Sequence, residues 1–442
     1  ALPLVVPSYV SAYLYVAVLA PKGLLQKLLA PLGITQLPPF YGFTGAFIVL
    51  TLISYPYTLL TVRSAIERMD PALLEAARTL GLSPRQAFMR VTLPYLRPPI
   101  LAGSLLVALY VLRDFGAVTM LQYSTFTRII YNRYLSYKLD EAAAMAFVLL
   151  VLTVAILWLE RRVRGKRHYA RVSVGVARRL PPIQLGKWKG VALLFVATIV
   201  FWALFVPVGG LLYWLWRGIN QEWVASRVGD VPTTKLYLLS LLDPMWNSIS
   251  VAAIGALLIV LLALPIAILA VRRPSKISHL FERFTYAGFA LPGIVVALAY
   301  VFFGVNYARP LYQTLPMLLI AYVVLFIPQA VGAQRAALLQ VPASLEEAGR
   351  SLGKRPWAVF GRITLPLLRS GILAGAALVF LTIMKELPAT LILSPSGFNT
   401  LAAQVWSNIG EALFARAAAP TLLLVILSSV PLAWLTLKNG KR

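Results

Sequence analysis

Long apolar runs alternate with short polar segments along most of this chain. A run of about 20 apolar residues is long enough to cross the hydrocarbon core of a bilayer as a helix. The pattern therefore predicts an all-α polytopic membrane protein with about ten spans. These lie near residues 2–20, 42–62, 99–120, 142–159, 190–216, 246–271, 286–305, 314–334, 371–393 and 416–437.

Two of the polar segments share one sequence pattern. Residues 75–81 read Glu-Ala-Ala-Arg-Thr-Leu-Gly, and residues 347–353 read Glu-Ala-Gly-Arg-Ser-Leu-Gly. A Leu-Pro pair follows each copy, at 93–94 and at 365–366, so the copies align without a gap at an offset of 272 residues (347 minus 75). An internal repeat of this kind indicates that the chain contains two equivalent halves.

Local sequence predicts a helix, a sharp turn and a second helix in the first copy, which we call the first loop (residues 70–94). Asp70 is predicted to cap a helix whose first residue is a proline. Gly81 can adopt the left-handed conformation that ends this helix. Ser83 and Gln86 form the pattern of a capping box for the second helix. Pro94 is then predicted to end that helix.

The second copy, which we call the second loop (residues 342–366), gives a parallel prediction. Ser344 and Glu347 have the spacing of a capping box, and Gly353 supplies the turn. Small residues on the first helix of each loop would let another surface approach closely. They are Ala76, Ala77, Ala348 and Gly349.

The distribution of basic residues predicts the orientation of the chain. The segment 160–189 carries ten Lys and Arg residues against the single acid Glu160, which is typical of a cytoplasmic loop. Counting spans outwards from it places both loops on the cytoplasmic side. Six spans separate the loops, so the two halves are predicted to be parallel pseudo-repeats.

These features predict three parts: a first half at 1–160, a basic cytoplasmic linker at 161–189 and a second half at 190–442. The linker either tethers the halves or forms a regulatory or anionic-lipid site. Residues 7–15 align with 292–300, so the spans 190–216 and 246–271 have no counterpart in the first half. We therefore expect about 100 further residues with two spans ahead of Ala1, since repeated halves should match.

Composition agrees with a membrane protein and excludes several other classes. The chain is 60% hydrophobic and 13% charged, against roughly 45–50% and 25% in soluble domains. Basic loops between spans account for the net charge of +26 without nucleic acid. The absence of cysteine and the presence of only two histidines exclude disulfides, thiolate metal sites and histidine clusters. No Gly-x-x-x-x-Gly-Lys-Ser/Thr sequence occurs, so no ATP hydrolysis by this chain is expected.

Two charged doublets recur at the same offset of 272 residues, Arg113-Asp114 and Lys385-Glu386. Each lies about 20 Å into its span at about 1.5 Å per residue, where ionisable groups are expensive. One hypothesis is a gate on a translocation path, with the acidic side chains favouring a cation. The other is an interhelical ion pair at a break in the span, since a glycine or proline follows each acid by two residues.

The repeated loops resemble the EAA loops of binding-protein-dependent ABC importer permeases, with the type I importer fold of two parallel helical repeats. The resemblance implies that the loops dock on two copies of a separate ATPase subunit, which binds ATP and Mg²⁺, while this chain binds no cofactor. Segments 113–118, 385–393, 397–401 and 405–406 are similar to the ferric-iron branch of that family. The docking residues implied are Glu75, Ala76, Ala77, Gly81, Glu347, Ala348, Gly349 and Gly353.

The same resemblance implies a multi-pass protein of a bacterial or archaeal cytoplasmic membrane, supplied with ferric iron by an extracytoplasmic binding protein. It implies no enzymatic activity in this chain and no nucleic-acid partner. Other branches of the family carry thiamine, polyamines, sulfate or phosphonates, and these substrates stay open. Two other classes also stay open, an ion-coupled secondary transporter and a membrane scaffold or receptor without transport activity.

Overall fold

A computed structural model describes residues 6–21, 23–34, 36–67, 69–164, 185–220, 237 and 239–439. All regular elements within these ranges are helices, which confirms the predicted all-α class. The chain forms two compact units, Ala1–Gly210 and Leu211–Arg442. Most of the predicted linker 161–189 lies outside the described ranges, so the three-part division stays a prediction.

In the part of the chain that the structure describes, nine helical segments are long and apolar enough to cross a membrane. They are Ser8–Leu32, Gly42–Glu67, Pro84–Arg113, Leu139–Leu159, Gly186–Asn220, Leu242–Arg272, Leu315–Leu338, Pro356–Lys385 and Phe414–Pro431.

The predicted span 286–305 is divided into two helices, Lys276–Ala290 and Gly293–Tyr307. Leu291 is extended, with φ −70° and ψ 130°, because the ring of the proline after it disfavours helical backbone at the preceding position. The 15 residues of the second helix reach only about 22 Å at about 1.5 Å per residue. The prediction of one continuous apolar helix there was wrong.

The first unit is built around the helix Ser8–Leu19, which packs against Gly42–Glu67 and the short helix Gly116–Met120. The side chains of Tyr13 and Tyr15 are almost completely buried, and the Tyr15 hydroxyl donates a hydrogen bond to the Trp202 carbonyl. The other helices of this unit are Leu24–Leu29, Pro71–Thr79, Pro84–Ala87, Leu93–Arg113, Phe126–Leu135, Leu139–Arg164 and Lys189–Val200, and its boundary falls within Val206–Asn220.

In the second unit the helices Leu242–Arg272, Leu315–Leu338 and Leu365–Lys385 pack on one another. Glycine makes this possible, because a methyl group added at Gly371 would lie 2.3 Å from the Ala337 Cβ. Small residues at such crossings let helix backbones approach within van der Waals contact. The other helices of the second unit are Ala343–Ser351, Pro356–Val359, Pro388–Leu393, Leu401–Gly410 and Phe414–Asn439, together with the divided pair described above.

A wide π-helical turn joins each loop to the span that follows it, at Phe88–Thr92 and at Phe360–Thr364. Pro94 therefore does not end the second helix of the first loop, as the sequence predicted. It lies in the first turn of Leu93–Arg113, and the helix runs without interruption from Pro84. Local π geometry accommodates the proline because it rearranges the backbone hydrogen bonds around the missing N–H.

Candidate functional site

The first loop folds largely as its sequence predicts. Asp70 caps the helix Pro71–Thr79, and its Oδ1 accepts a hydrogen bond of 3.0 Å from the amide of Ala72. Gly81 has φ +82°, a conformation that other residues adopt only with strain. The capping box is confirmed, since Ser83 and Gln86 exchange side chain to backbone hydrogen bonds of 3.0 and 3.3 Å.

The second loop repeats the turn but begins differently. Gly353 has φ +76°, which confirms the predicted helix end. The predicted capping box at Ser344 was wrong, because the helix Ala343–Ser351 begins two residues earlier than a cap at Ser344 would place it, after Pro342 and without a side-chain cap. Ser344 thus lies inside the helix, where its backbone is no longer that of a capping residue.

The small residues of the two loops divide into two sets. Ala77 and Gly349 are buried. A methyl group added at Gly349 would lie 2.8 Å from the Ile363 Cδ1, on the π turn that follows. Ala76 and Ala348 are exposed, as are the carboxylates of Glu75 and Glu347, so these are the predicted docking residues that a partner could reach.

Large apolar side chains that the predicted docking set omits are also available to a partner. Leu80 is 82% exposed and Leu352 is 80% exposed, at equivalent positions immediately before the two turn glycines. Trp357, in the second loop alone, is 84% exposed. The signal in the sequence is that Leu80 ends an apolar stripe on a short helix. The structure buries Ala77 in the middle of this stripe and leaves Leu80 exposed.

The first charged doublet lies at a break in the predicted span 99–120, as the ion-pair hypothesis assumed. The helix ends at Arg113, Asp114 is extended, and helical structure resumes at Gly116. The buried Asp114 carboxylate accepts hydrogen bonds from the amides of Ala117 at 3.0 Å and Val118 at 3.4 Å, and the Ser8 hydroxyl is a further partner.

The second doublet has the same arrangement with different partners. Lys385 ends its helix, and the carboxylate of Glu386 accepts from the amides of Ala389 at 3.0 Å and Thr390 at 2.9 Å. The Thr390 hydroxyl bonds both to this carboxylate at 2.9 Å and to the Tyr322 hydroxyl at 2.7 Å.

In both doublets the carboxylate therefore caps the short helix beyond the break. An anionic group is stabilised there by unpaired amides and by the helix dipole. This role is a third one, beside the gate and the ion pair, both of which stay predictions for Arg113, Asp114, Lys385 and Glu386. Over the described residues, no group of three or more His, Asp or Glu side chains is arranged to hold a metal ion.

Comparison with known proteins places the chain in a family. The model of the binding-protein-dependent transport system inner membrane component matches residues 1–167 and 259–437. An Fe(3+)-transport system permease of Haemophilus influenzae is 35% identical over 97% of this chain and 80% of its own length. A putative ferric transport system permease of the same organism is 27% identical over 89% of this chain and 63% of its own. A ferric transport system permease of Actinobacillus pleuropneumoniae is 25% identical over 97% and 64%.

The chain thus spans just under two thirds of the length of two of these relatives and four fifths of the other. Both matched segments of the family model contain one loop and one charged doublet. Together with the apolar helices described above, the match identifies the chain as a multi-pass inner-membrane protein of the binding-protein-dependent transport system permease family.

Proposed function

We propose that this chain is the membrane-spanning subunit of an ATP-driven importer, and that its cargo is ferric iron delivered by an extracytoplasmic binding protein. The family to which the chain belongs supports the importer class. The three relatives described above, all named for Fe(3+) or ferric transport, support the cargo. Iron is here a substrate in transit, so a tight ligand cluster is not required of the chain.

We further propose that two copies of a separate ATPase subunit supply the energy and bind the two loops. The observation that carries this proposal is that a helix, a left-handed glycine turn and a second helix recur with the same leucine exposed, Leu80 and Leu352. A lone amphipathic helix has many uses. Two copies that present an equivalent apolar side chain to solvent favour two equivalent partner surfaces.

The continuity of the helices suggests how movement of a docked ATPase could reach the membrane. The second helix of each loop continues through the π turn into a helix of 30 residues, Pro84–Arg113 or Pro356–Lys385. Such a helix spans about 45 Å at about 1.5 Å per residue. A displacement at the loop would therefore move a rigid lever whose far end is the carboxylate-capped break.

Docking can be tested by replacing both exposed leucines, Leu80→Asp with Leu352→Asp. We expect the ATPase subunit no longer to co-purify with the permease in mild detergent, because a charge replaces the apolar side chain at the centre of each contact. Membrane insertion should be unchanged, since neither side chain packs inside the chain. Tyr137→Asn is a matched control, because Tyr137 is also highly exposed, and asparagine tolerates its positive φ of 59°.

Undiminished transport by the double leucine variant would instead favour an ion-coupled secondary transporter, which needs no docked ATPase. The cargo is tested separately in proteoliposomes that contain the permease and ATPase with binding protein outside. We expect ATP-dependent uptake of radiolabelled ferric iron that excess sulfate, thiamine or spermidine does not inhibit. Inhibition by one of these compounds would assign the importer to that substrate.

A further inference from the structure

The second loop is fastened to its helix bundle by a largely buried ion pair. The Glu346 carboxylate Oε1 lies 3.0 Å from the Arg272 Nη2 and accepts a hydrogen bond of 3.1 Å from its Nε. The two side chains are only 14% and 18% exposed. The Thr364 hydroxyl donates to the same oxygen at 3.2 Å. Glu346 therefore holds two separate groups through one oxygen atom.

These groups belong to different structural elements. Arg272 is the last residue of the helix Leu242–Arg272, and its Nη2 also donates to the Val341 carbonyl at 2.9 Å, in the segment that leads into the loop. Thr364 is the last residue of the π turn that leads out of it. One arginine and one glutamate thus join the entry of the second loop, its docking helix, its exit and a neighbouring long helix.

The first loop cannot form this connection. The residue equivalent to Glu346 at the offset of 272 is Leu74 (346 minus 272), which cannot accept a hydrogen bond. The equivalent of Thr364 is Thr92, so the hydroxyl is retained while its acceptor is not. The two loops therefore differ at position 346, which is largely buried and need not contact a docked partner. Glu347 beside it is exposed.

We propose that the Arg272–Glu346 pair is a strut that transmits force from the ATPase docked on the second loop to the helix Leu242–Arg272. The inference rests on the proposed function of the loops as ATPase docking sites. The two loops then differ in role: the second moves two helices together through Glu346, and the first has Leu74 at the equivalent position. Glu346 is a positioning residue for this movement and is not itself a docking contact.

The experiment uses the permease assembled with its ATPase subunit in proteoliposomes with binding protein, and it measures uptake per ATP hydrolysed. We expect Glu346→Gln to retain ATPase co-purification. Uptake per ATP should fall about fivefold or more, since coupling between distant sites in proteins usually amounts to at least about a factor of five. Exchange of the charges, Arg272→Glu with Glu346→Arg, should restore part of the ratio. Arg272→Lys, which keeps the charge but loses the paired N–H donors, should give an intermediate ratio.

Glu67→Gln is the matched control. Glu67 forms an ion pair of 2.8 Å with Arg63 at the end of the helix that precedes the first loop, and both side chains are more than half exposed. The Glu67→Gln variant should leave uptake per ATP unchanged.

An unchanged ratio of uptake to ATP hydrolysed in Glu346→Gln would overturn the strut. Loss of ATPase co-purification in that variant would overturn it too, since the pair would then only hold the loop in shape. If the unmodified permease bound no ATPase, the proposed function would fail and the strut with it.

Discussion

The two loops have the same turn and different attachments. Each has a short helix that ends at a glycine of positive φ, a second helix that starts at a proline, and a π turn into the span. The first loop begins at a capping aspartate and has a leucine at position 74. The second begins without a side-chain cap and is tied to the bundle through Glu346.

The turn glycine and the leucine that the two loops share are exposed to solvent, whereas the ion pair in which they differ attaches the second loop to its helix bundle. The turn and the exposed leucine recur, and the proposed docking of two equivalent ATPase subunits would require the same shape twice. The residues that hold each loop to its own bundle differ, because the surrounding helices differ. Two loops of equivalent shape can therefore have unequal connections to their helix bundles, and mutations can change a shared feature or one that is not shared.

The largest effect is expected from the shared turn, in the double variant Gly81→Val with Gly353→Val. A methyl group at either glycine would meet no atom within 4 Å, so the whole cost is backbone strain of about 1–3 kcal/mol per site for a β-branched residue at positive φ. Both docking helices should lose their defined ends. ATPase co-purification should be lost while membrane insertion is intact.

Gly81→Asn with Gly353→Asn is the control for that experiment, since asparagine adopts the left-handed conformation more readily. It should retain most of the ATPase binding. If the valine and asparagine variants lost ATPase binding equally, the partner would require the absence of a side chain at these positions rather than the geometry of the turn.

The next effect concerns a difference between the charged breaks. In the second half a Cβ at Gly293 would lie 2.9 Å from the Glu386 Oε1, whereas the aligned position in the first half is Ser8, beside the shorter Asp114. Gly293→Ser should therefore destabilise the protein by about 1–3 kcal/mol through overpacking. The added change Glu386→Asp recreates the first-half pair and should recover most of that loss, measured as the thermal unfolding midpoint in detergent.

If the unfolding midpoint of the Gly293→Ser, Glu386→Asp protein did not recover, the side-chain pairs at the two breaks would not be interchangeable by volume alone. Ser8→Gly with Asp114→Glu is the reciprocal exchange. It should be tolerated better than Asp114→Glu alone, because the glycine makes room for the longer carboxylate.

Local chemistry made much of the fold predictable from sequence. The caps at Asp70 and Ser83, the turns at Gly81 and Gly353, and the breaks after Arg113 and Lys385 each depend on residues within a few positions of one another. The lengths of the apolar runs alone predicted the positions of most of the spans. These are the features for which sequence neighbours are also spatial neighbours.

The features that sequence reasoning missed depend on contacts or on competing local preferences. The Arg272–Glu346 pair joins residues 74 positions apart. The roles of Asp114 and Glu386 as caps were overlooked because a buried charge suggested a charged partner before a backbone amide. Pro94 was expected to end a helix, as proline usually does. The helix instead continues through it, because the π turn Phe88–Thr92 before it rearranges the backbone hydrogen bonds.

A smaller effect tests whether the acidic side chains cap helices or line a path. Asp114→Ala removes the acceptor for the amides of Ala117 and Val118 and should destabilise the protein by about 0.5–2 kcal/mol. Asp114→Asn keeps an acceptor oxygen and should retain most of the thermal stability. If Asp114→Asn with Glu386→Gln instead abolished iron uptake at unchanged stability, the carboxylates would belong to the translocation path.

The smallest effect is expected at a pair of equivalent arginines. Arg63 pairs with Glu67 on its own exposed helical surface, whereas Arg335, 272 residues later, lies 3.3 Å from Glu282 on the neighbouring helix Lys276–Ala290. Glu67→Gln should change stability by less than about 0.5 kcal/mol, as is usual for an exposed i,i+4 pair. Glu282→Gln should lower the unfolding midpoint more, because its carboxylate is less exposed and fastens one helix to another. Equal midpoints for the two variants would contradict the larger contribution expected of the Arg335–Glu282 pair.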